Sequence, residues 1–298
     1  MRALANRVVR AAYLAVFRLK RRTSGALDAV APRAAEGLFR GGTRLAFVPF
    51  RGERNPLPEP IESGIRIDIV GDLEAYTRLP RATLERELVT RRDLSFRAEW
   101  HATPEDLRAD HWYYLSSKGY LFANASHFTE PAFVERFVKP HVPPGGRVLD
   151  FGGGAGNLTM LLAGAGYDVS YFELGALQRD FVRFRVDRHG LRDRVSIIDW
   201  WGKAEPGSLD AVVAVDVLEH LDDCRSILED HLLPALAPNG ALIENTSFVV
   251  NVSNPMHHED YGMDEHLRSA GMEVVETADD GTRIWRRTAS AAGQKRAA

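Results

Sequence analysis

The chain has 298 residues, 45% apolar and 27% charged, with a formal net charge of -3. This suits one large globular domain with an appendage, or two domains, and excludes a fibrous or disordered composition. The single cysteine, Cys224, excludes an intrachain disulfide and a multi-cysteine zinc site, fits a reducing cytosol, and reads as a half-buried helix residue.

Residues 1–54 carry 12 Arg and Lys against three acids, which leaves 26 basic and 38 acidic residues in the remainder. A basic N-terminus therefore leads an acidic body. Residues 1–22 form an amphipathic basic pattern, with Leu4, Val8, Ala15 and Leu19 near one face. Such a helix suits a membrane surface, an acidic partner, its own domain or a dimer mate; packing on the domain or the mate is the preferred reading. The apolar run 11–17 is shorter than the roughly 20 residues of a membrane span. It is followed by Arg18, Lys20, Arg21 and Arg22 with no small-residue cleavage site, which speaks against a signal peptide.

Residues 51–64, with Pro56, Pro58 and Pro60, read as an extended linker. Beyond it, 65–70 alternates as a strand, 81–91 is helix-like, and 94–100 suits a second strand. Thr103 as cap and Pro104 at the first helical position open a short helix. Residues 112–128, WYYLSSKGYLFANASHF, are dense in aromatics. They suit either a substrate pocket or lid, or a core joining this accessory region to the rest. A helix then begins at Thr129 and Pro131.

From Arg147 onward strands and helices alternate: strand 147–151, helix to Gly164, strand 168–172, helix 175–189, strand 195–199, strand 209–216, helix 223–236 and strand 241–245. A helix over 264–270 and strands 273–277 and 282–287, joined by the turn Asp279, Asp280, Gly281, close the series. This implies an α/β, doubly wound, mainly parallel sheet with one antiparallel strand from a terminal hairpin.

The first strand runs into a glycine-rich turn, RVLDFGGGAGN over 147–157. Strand, turn and helix make the front half of a nucleotide-type βαβ unit, with the ligand at the strand's carboxyl end. Gly152 and Gly154 fit a dinucleotide G-x-G-x-x-G, but the third position is Asn157 and the glycine falls at Gly156; a P-loop ending is absent. Asp150 just before the turn would repel a pyrophosphate and attract a cation, so the site suits a positively charged, phosphate-free nucleoside.

VLDFGGGAGN, the acid-ended VSYFE, IIDWW and VAVDVLEHL stand in order at proper spacing over 129–287. In this they resemble the class I S-adenosylmethionine-dependent methyltransferase family. The resemblance implies a Rossmann-like, seven-stranded, mainly parallel sheet ending in an antiparallel hairpin. It implies S-adenosylmethionine as cofactor and S-adenosylhomocysteine as product. By position, Gly152, Gly154 and Gly156 would let the backbone approach the cofactor while Asp150 faces its methionine ammonium. Glu173 would accept both ribose hydroxyls, Asp199 the adenine amino group, Trp200 would pack on the ring, and Asp216 would end the fourth strand at the floor.

Transfer from a sulfonium needs mainly alignment, with a base only where the nucleophile must lose a proton. His220, after the fourth strand, and His257 and His258, in NPMHHED after the fifth, are the catalytic candidates. Asp216, Glu219 and His220 with either of the later histidines could also hold a divalent metal, as similar E-x-x-E-H sets do in some ubiquinone-pathway and small-RNA methyltransferases. Asp216 as first acid departs from that pattern, so no metal ligand is assigned.

The chain accordingly divides into a basic helical segment, 1–54, an accessory α/β region for substrate, lid or dimerisation, 55–128, a methyltransferase domain, 129–287, and a disordered tail, 288–298. The expected function is cytoplasmic methyl transfer to oxygen or nitrogen of a small molecule, in secondary metabolism. Nucleic acid as substrate and a membrane-peripheral, non-catalytic binding subunit are the rival readings.

Overall fold

The computed structural model describes residues 61–63, 65–91, 118–126, 131–198, 204–250 and 256–287. The basic helix 1–22, the strand 94–100, the helix opened by Thr103 and the tail lie outside them. The first described elements are a small antiparallel ribbon of β1, Ile61–Ser63, and β2, Ile65–Ile67. The strand expected over 65–70 stops at Ile67 because Asp68 caps a helix. Its carboxylate accepts the Gly71 N–H at 2.9 Å, satisfying one of the free donors at the start of α1, Ile69–Thr77.

Helix α2, Arg81–Arg91, spans the residues its periodicity predicts. The described part of the aromatic run is α3, Lys118–Ser126. Its Leu121, Phe122 and Ala125 pack with Ile69, Val70, Leu73, Leu84 and Leu88, and onward with Ala155 and Phe181 of the main domain. These residues of the run therefore form a joining core.

A short helix, α4, Pro131–Phe133, continues as a π turn, Val134–Val138, and leads to β3, Arg147–Phe151. There follow α5, Asn157–Gly164, β4, Asp168–Phe172, α6, Ala176–Arg188, β5, Val195–Ile197, and β6, Leu209–Val215. The helix expected over 223–236 is broken into α7, Cys224–Ile227, a π turn, Leu228–Leu232, and α8, Leu233–Ala235. Strand β7, Leu236–Asn245, begins earlier than expected because Leu236 pairs with Leu209. A register shift between Leu209 and Ala211 absorbs Pro238, which has no N–H to give a regular ladder. The last elements are α9, Met263–Ser269, β8, Met272–Thr277, and β9, Arg283–Arg287.

The seven-stranded sheet has the order β5-β4-β3-β6-β7-β9-β8. Only β9 runs opposite to the other six strands. This is the Rossmann-like arrangement with an antiparallel hairpin. Alternation along β3 feeds two cores: Val148 packs with Leu161, Leu162 and Val182, and Leu149 and Phe151 pack with Leu218, Leu228, Leu232 and Trp285. Cys224 is buried, and burial pushes its thiol up to about 12. Among the described residues no helix is long and apolar enough to cross a membrane.

Strand order reverses between β3 and β6, so a crevice opens at their carboxyl ends, where open α/β sheets bind ligands. The hairpin is fixed by Trp285, fully buried, whose indole N–H donates to Glu244 Oε1 at 3.0 Å while Arg283 Nε donates to the same oxygen at 2.7 Å. Trp285→Ala is expected to cost about 3–5 kcal/mol in denaturant unfolding; a cost under about 1 kcal/mol would mean that the hairpin does not pack there.

Candidate active site

The glycine turn is tied to β4 and closed on itself. Gly152 and Gly153 N–H both donate to Phe172 O, at 2.9 and 3.1 Å, and Gly156 N–H donates to Gly153 O at 2.8 Å. The Tyr171 hydroxyl donates to Gly154 O at 2.6 Å. Gly152 and Gly156 have φ of +72° and +75°, and a Cβ there would fall 2.3 Å from Val217 Cγ2 and 2.6 Å from Val182 Cγ2. Only glycine meets both conditions. Gly154 lies against the Asn124 side chain of α3.

Three acids stand at the ends of neighbouring strands. Asp150, 3% exposed, accepts from the Thr159 hydroxyl beneath the turn. Burial raises it to about 6; the Thr159 bond opposes this and the charge of Glu173 adds to it. Glu173, just past β4, takes the Gly154 N–H on Oε2 at 3.0 Å and the Gly175 N–H on Oε1 at 2.9 Å. Burial raises its pKa against those two donors. Asp216, just past β6, has φ +50°, a region few non-glycine residues enter. Its N–H donates to Asn245 O at 2.9 Å, and partial loss of solvation raises its carboxyl although the residue remains exposed. Asp199 and Trp200 lie outside the described residues.

Two buried carboxylates with upward-shifted pKa values are relieved by a cationic ligand and strained further by a phosphate. Glu173, between two turns, has each oxygen bonded to a neutral backbone donor. The set fits a sulfonium nucleoside.

On the other side of the crevice a 3₁₀ turn, Leu218–His220, follows β6. Glu219 is fully buried; Oε1 accepts the Ser247 N–H at 3.1 Å, and Oε2 has no hydrogen-bond partner. His220 Nδ1 lies 3.3 Å from Met256 O, an acceptor only, so Nδ1 carries the proton and Nε2 the lone pair. The His220 and His257 rings meet edge to face, centroids 4.6 Å apart. Ligand atoms of Glu219, His220 and His257 lie within 4.8 Å of one another, a set that can move a proton or hold a divalent cation. His258 turns away: its Nε2 is 3.0 Å from Asp222 Oδ1 at the surface. The structure thus brings His220 and His257 together and leaves His258 and Asp216 out of that group.

Burial raises Glu219 to about 7 and lowers His220 to about 3, with His257 adding to the latter. His220 is therefore a neutral imidazole at physiological pH. Sequence reasoning missed Tyr171, Thr159 and Arg185. Arg185 carried a signal: it continues the inward stripe Gln178, Phe181, Val182 on α6, where a charge needs a partner. A cavity of about 570 Å³ lies toward the amino ends of β3, β4 and β6, against Arg147, Asp168 and Ser208, and is lined by none of the three acids.

Glu173→Ala is expected to weaken S-adenosylmethionine binding at least about tenfold in calorimetry; unchanged affinity removes the ribose assignment. A second test concerns stability. The folded protein keeps the Glu219 proton up to about pH 7, whereas an unfolded chain releases it near its ordinary value of 4.5. Stability from this group is thus present at pH below 4.5 and lost as pH rises toward 7. Glu219→Gln is expected to flatten that part of the pH profile; an unaltered profile would refute the shift.

A family described as a methyltransferase domain matches residues 120–277. Among solved structures the chain is similar to the mitomycin 7-O-methyltransferase MmcR, at 20% identity over 94% of each chain with a TM-score of 0.47. It is also similar to a methyltransferase from Aquifex aeolicus, at 16% identity over 53% of this chain and 93% of that one, TM-score 0.42. The likeness to the cyclase SpnF is 23% identity, TM-score 0.40, over 49% of this chain and 56% of that chain, so the chain spans little more than half of that protein. No curated protein matches the sequence. The domain match takes in more than half of the residues, and the chain belongs to the class I S-adenosylmethionine-dependent methyltransferase family.

Proposed function

We propose that the enzyme methylates an oxygen or nitrogen of a small-molecule acceptor by in-line transfer. The observation that carries this reading is Glu219 Oε2, buried and without a partner, beside the imidazoles of His220 and His257. A buried carboxylate and a neutral imidazole are proton acceptors, which a hydroxyl or protonated amine nucleophile requires. Thr246 Oγ1, also buried without a hydrogen-bond partner among the described residues, supplies a further polar contact for an acceptor.

When bound, S-adenosylmethionine supplies an electrophilic methyl on a positively charged sulfur. Glu173 would hold its ribose hydroxyls, Asp150 would oppose its positive charge from beneath the turn, and Asp216 would close the floor. His220 Nε2, held by the Nδ1 contact to Met256 O and close to Glu219, takes the acceptor's proton, and His257 orients the group. Orientation and exclusion of water do the remaining work.

Labelled S-adenosylmethionine offered with a small-metabolite extract and with total RNA tests the acceptor class. Label is expected in the metabolite fraction, and label in RNA that is lost at moderate salt would overturn the reading. His220→Asn is expected to lower kcat by about 10²–10⁴ with cofactor affinity unchanged; an unaltered kcat would remove it as base. Transfer is expected to survive exhaustive chelation. Loss restored by added divalent cation would assign Glu219, His220 and His257 as ligands instead.

A further inference from the structure

Arg185 of α6 is fully buried, and its fork touches two separate parts of the chain. Nε donates to Asp72 Oδ2 of α1 at 2.9 Å. Nη1 donates to Ala155 O at 2.6 Å and to Asn157 Oδ1 at 2.9 Å, both in the glycine turn. Asn157 Nδ2 in turn donates to Ala125 O of α3 at 3.1 Å. Asp72, 1% exposed, also receives Arg188 Nε at 3.2 Å and lies 2.9 Å from His189 Nε2. The accessory helices and the turn are thus joined by one polar path.

The accessory helices are also attached by apolar packing. Ile69, Val70, Leu73, Leu84, Leu121 and Phe181 already form an apolar core between the two parts. A buried ion pair is in general a weak stabiliser, because desolvation offsets the attraction, and here Arg185 Nη2 is left buried without a partner. What the pair does supply is fixed geometry at the carbonyl of Ala155 and the side chain of Asn157, where the turn passes into α5. The bonds to Phe172, Glu173 and Tyr171 hold residues 152–154, and Gly156 N–H ties the second half back to Gly153 O.

We propose that Arg185, oriented by Asp72, is a positioning residue for the second half of the cofactor turn, so that α1 and α3 are parts of the cofactor site. The proposal rests on the cofactor and is independent of the acceptor. It predicts that loss of the pair lowers affinity for S-adenosylmethionine without unfolding the protein.

Asp72→Leu combined with Arg185→Met removes both charges into apolar surroundings and is the main test. Its Tm is expected to stay close to that of the wild type while S-adenosylmethionine and S-adenosylhomocysteine each bind at least about tenfold more weakly by calorimetry. Amide hydrogen exchange at residues 155–157 is expected to speed up. Arg185→Lys keeps the charge facing Asp72 but lacks the fork that reaches the turn, and it is expected to show the same loss of affinity. Wild-type affinity in either folded variant would overturn the proposal. So would a double variant that fails to fold, since the pair would then hold the fold and not the turn. Failure of the wild-type protein to bind S-adenosylmethionine would instead count against the cofactor assignment.

Discussion

Both oxygens of one carboxylate, Glu173, are committed to backbone N–H groups on two different turns, Gly154 after β3 and Gly175 before α6. The rest of the crevice depends on this bridge. It holds the end of β4 against the glycine turn, and it places a negative charge where desolvation raises its cost. That cost is acceptable at a site that receives a cation and a pair of neutral hydroxyls, and unacceptable at one that receives phosphates. Asp150 repeats the logic one strand over, lodged under the turn with Thr159 as its donor. The chemistry of the ligand is therefore set by what the sheet ends can tolerate when empty.

Legibility in the sequence follows the range of the forces involved. Period-two and helical patterning placed β3, β4 and α2 within a residue or not at all displaced, since these depend on local spacing. The early start of β7 was not legible, because Leu236 enters the sheet through a pairing with Leu209 and a register shift that no local pattern encodes. Likewise the strand expected through Val70 yields to a cap at Asp68, a signal present in the sequence but outweighed by apolar alternation. For the site, acids at strand ends were readable because strand ends were. Which histidine faces Glu219 was not: His257 and His258 are adjacent, and only the path of the loop sends one inward and the other to Asp222.

The two sides of the crevice solve different problems. On the glycine-turn side, Asp150, Glu173 and residues 152–154 are tied to one another and to β4 by internal hydrogen bonds, which suits a surface that must keep one shape. The side beyond β6 leaves buried polar atoms on Glu219 and Thr246 without partners among the described residues, a condition that calls for a ligand or water to complete the set. Asp216 stands between them in a left-handed conformation, turning the chain sharply from β6 into the turn that carries His220. Backbone strain is thus placed where the two halves meet.

The order β7-β9-β8 has a consequence for synthesis. The strand that leaves the ribosome last, β9, belongs between two that emerge before it, and β8 pairs with no other strand of the sheet. Until Arg283–Arg287 is available, β7 presents an open edge and β8 has no neighbour to bind. The nascent chain therefore carries the unpaired edge of β7 from Asn245 until Arg283–Arg287 has emerged, a state prone to wrong pairing. Closure of the sheet is consequently a late event that a single short segment triggers, and premature termination just before it would forfeit two strands, not one.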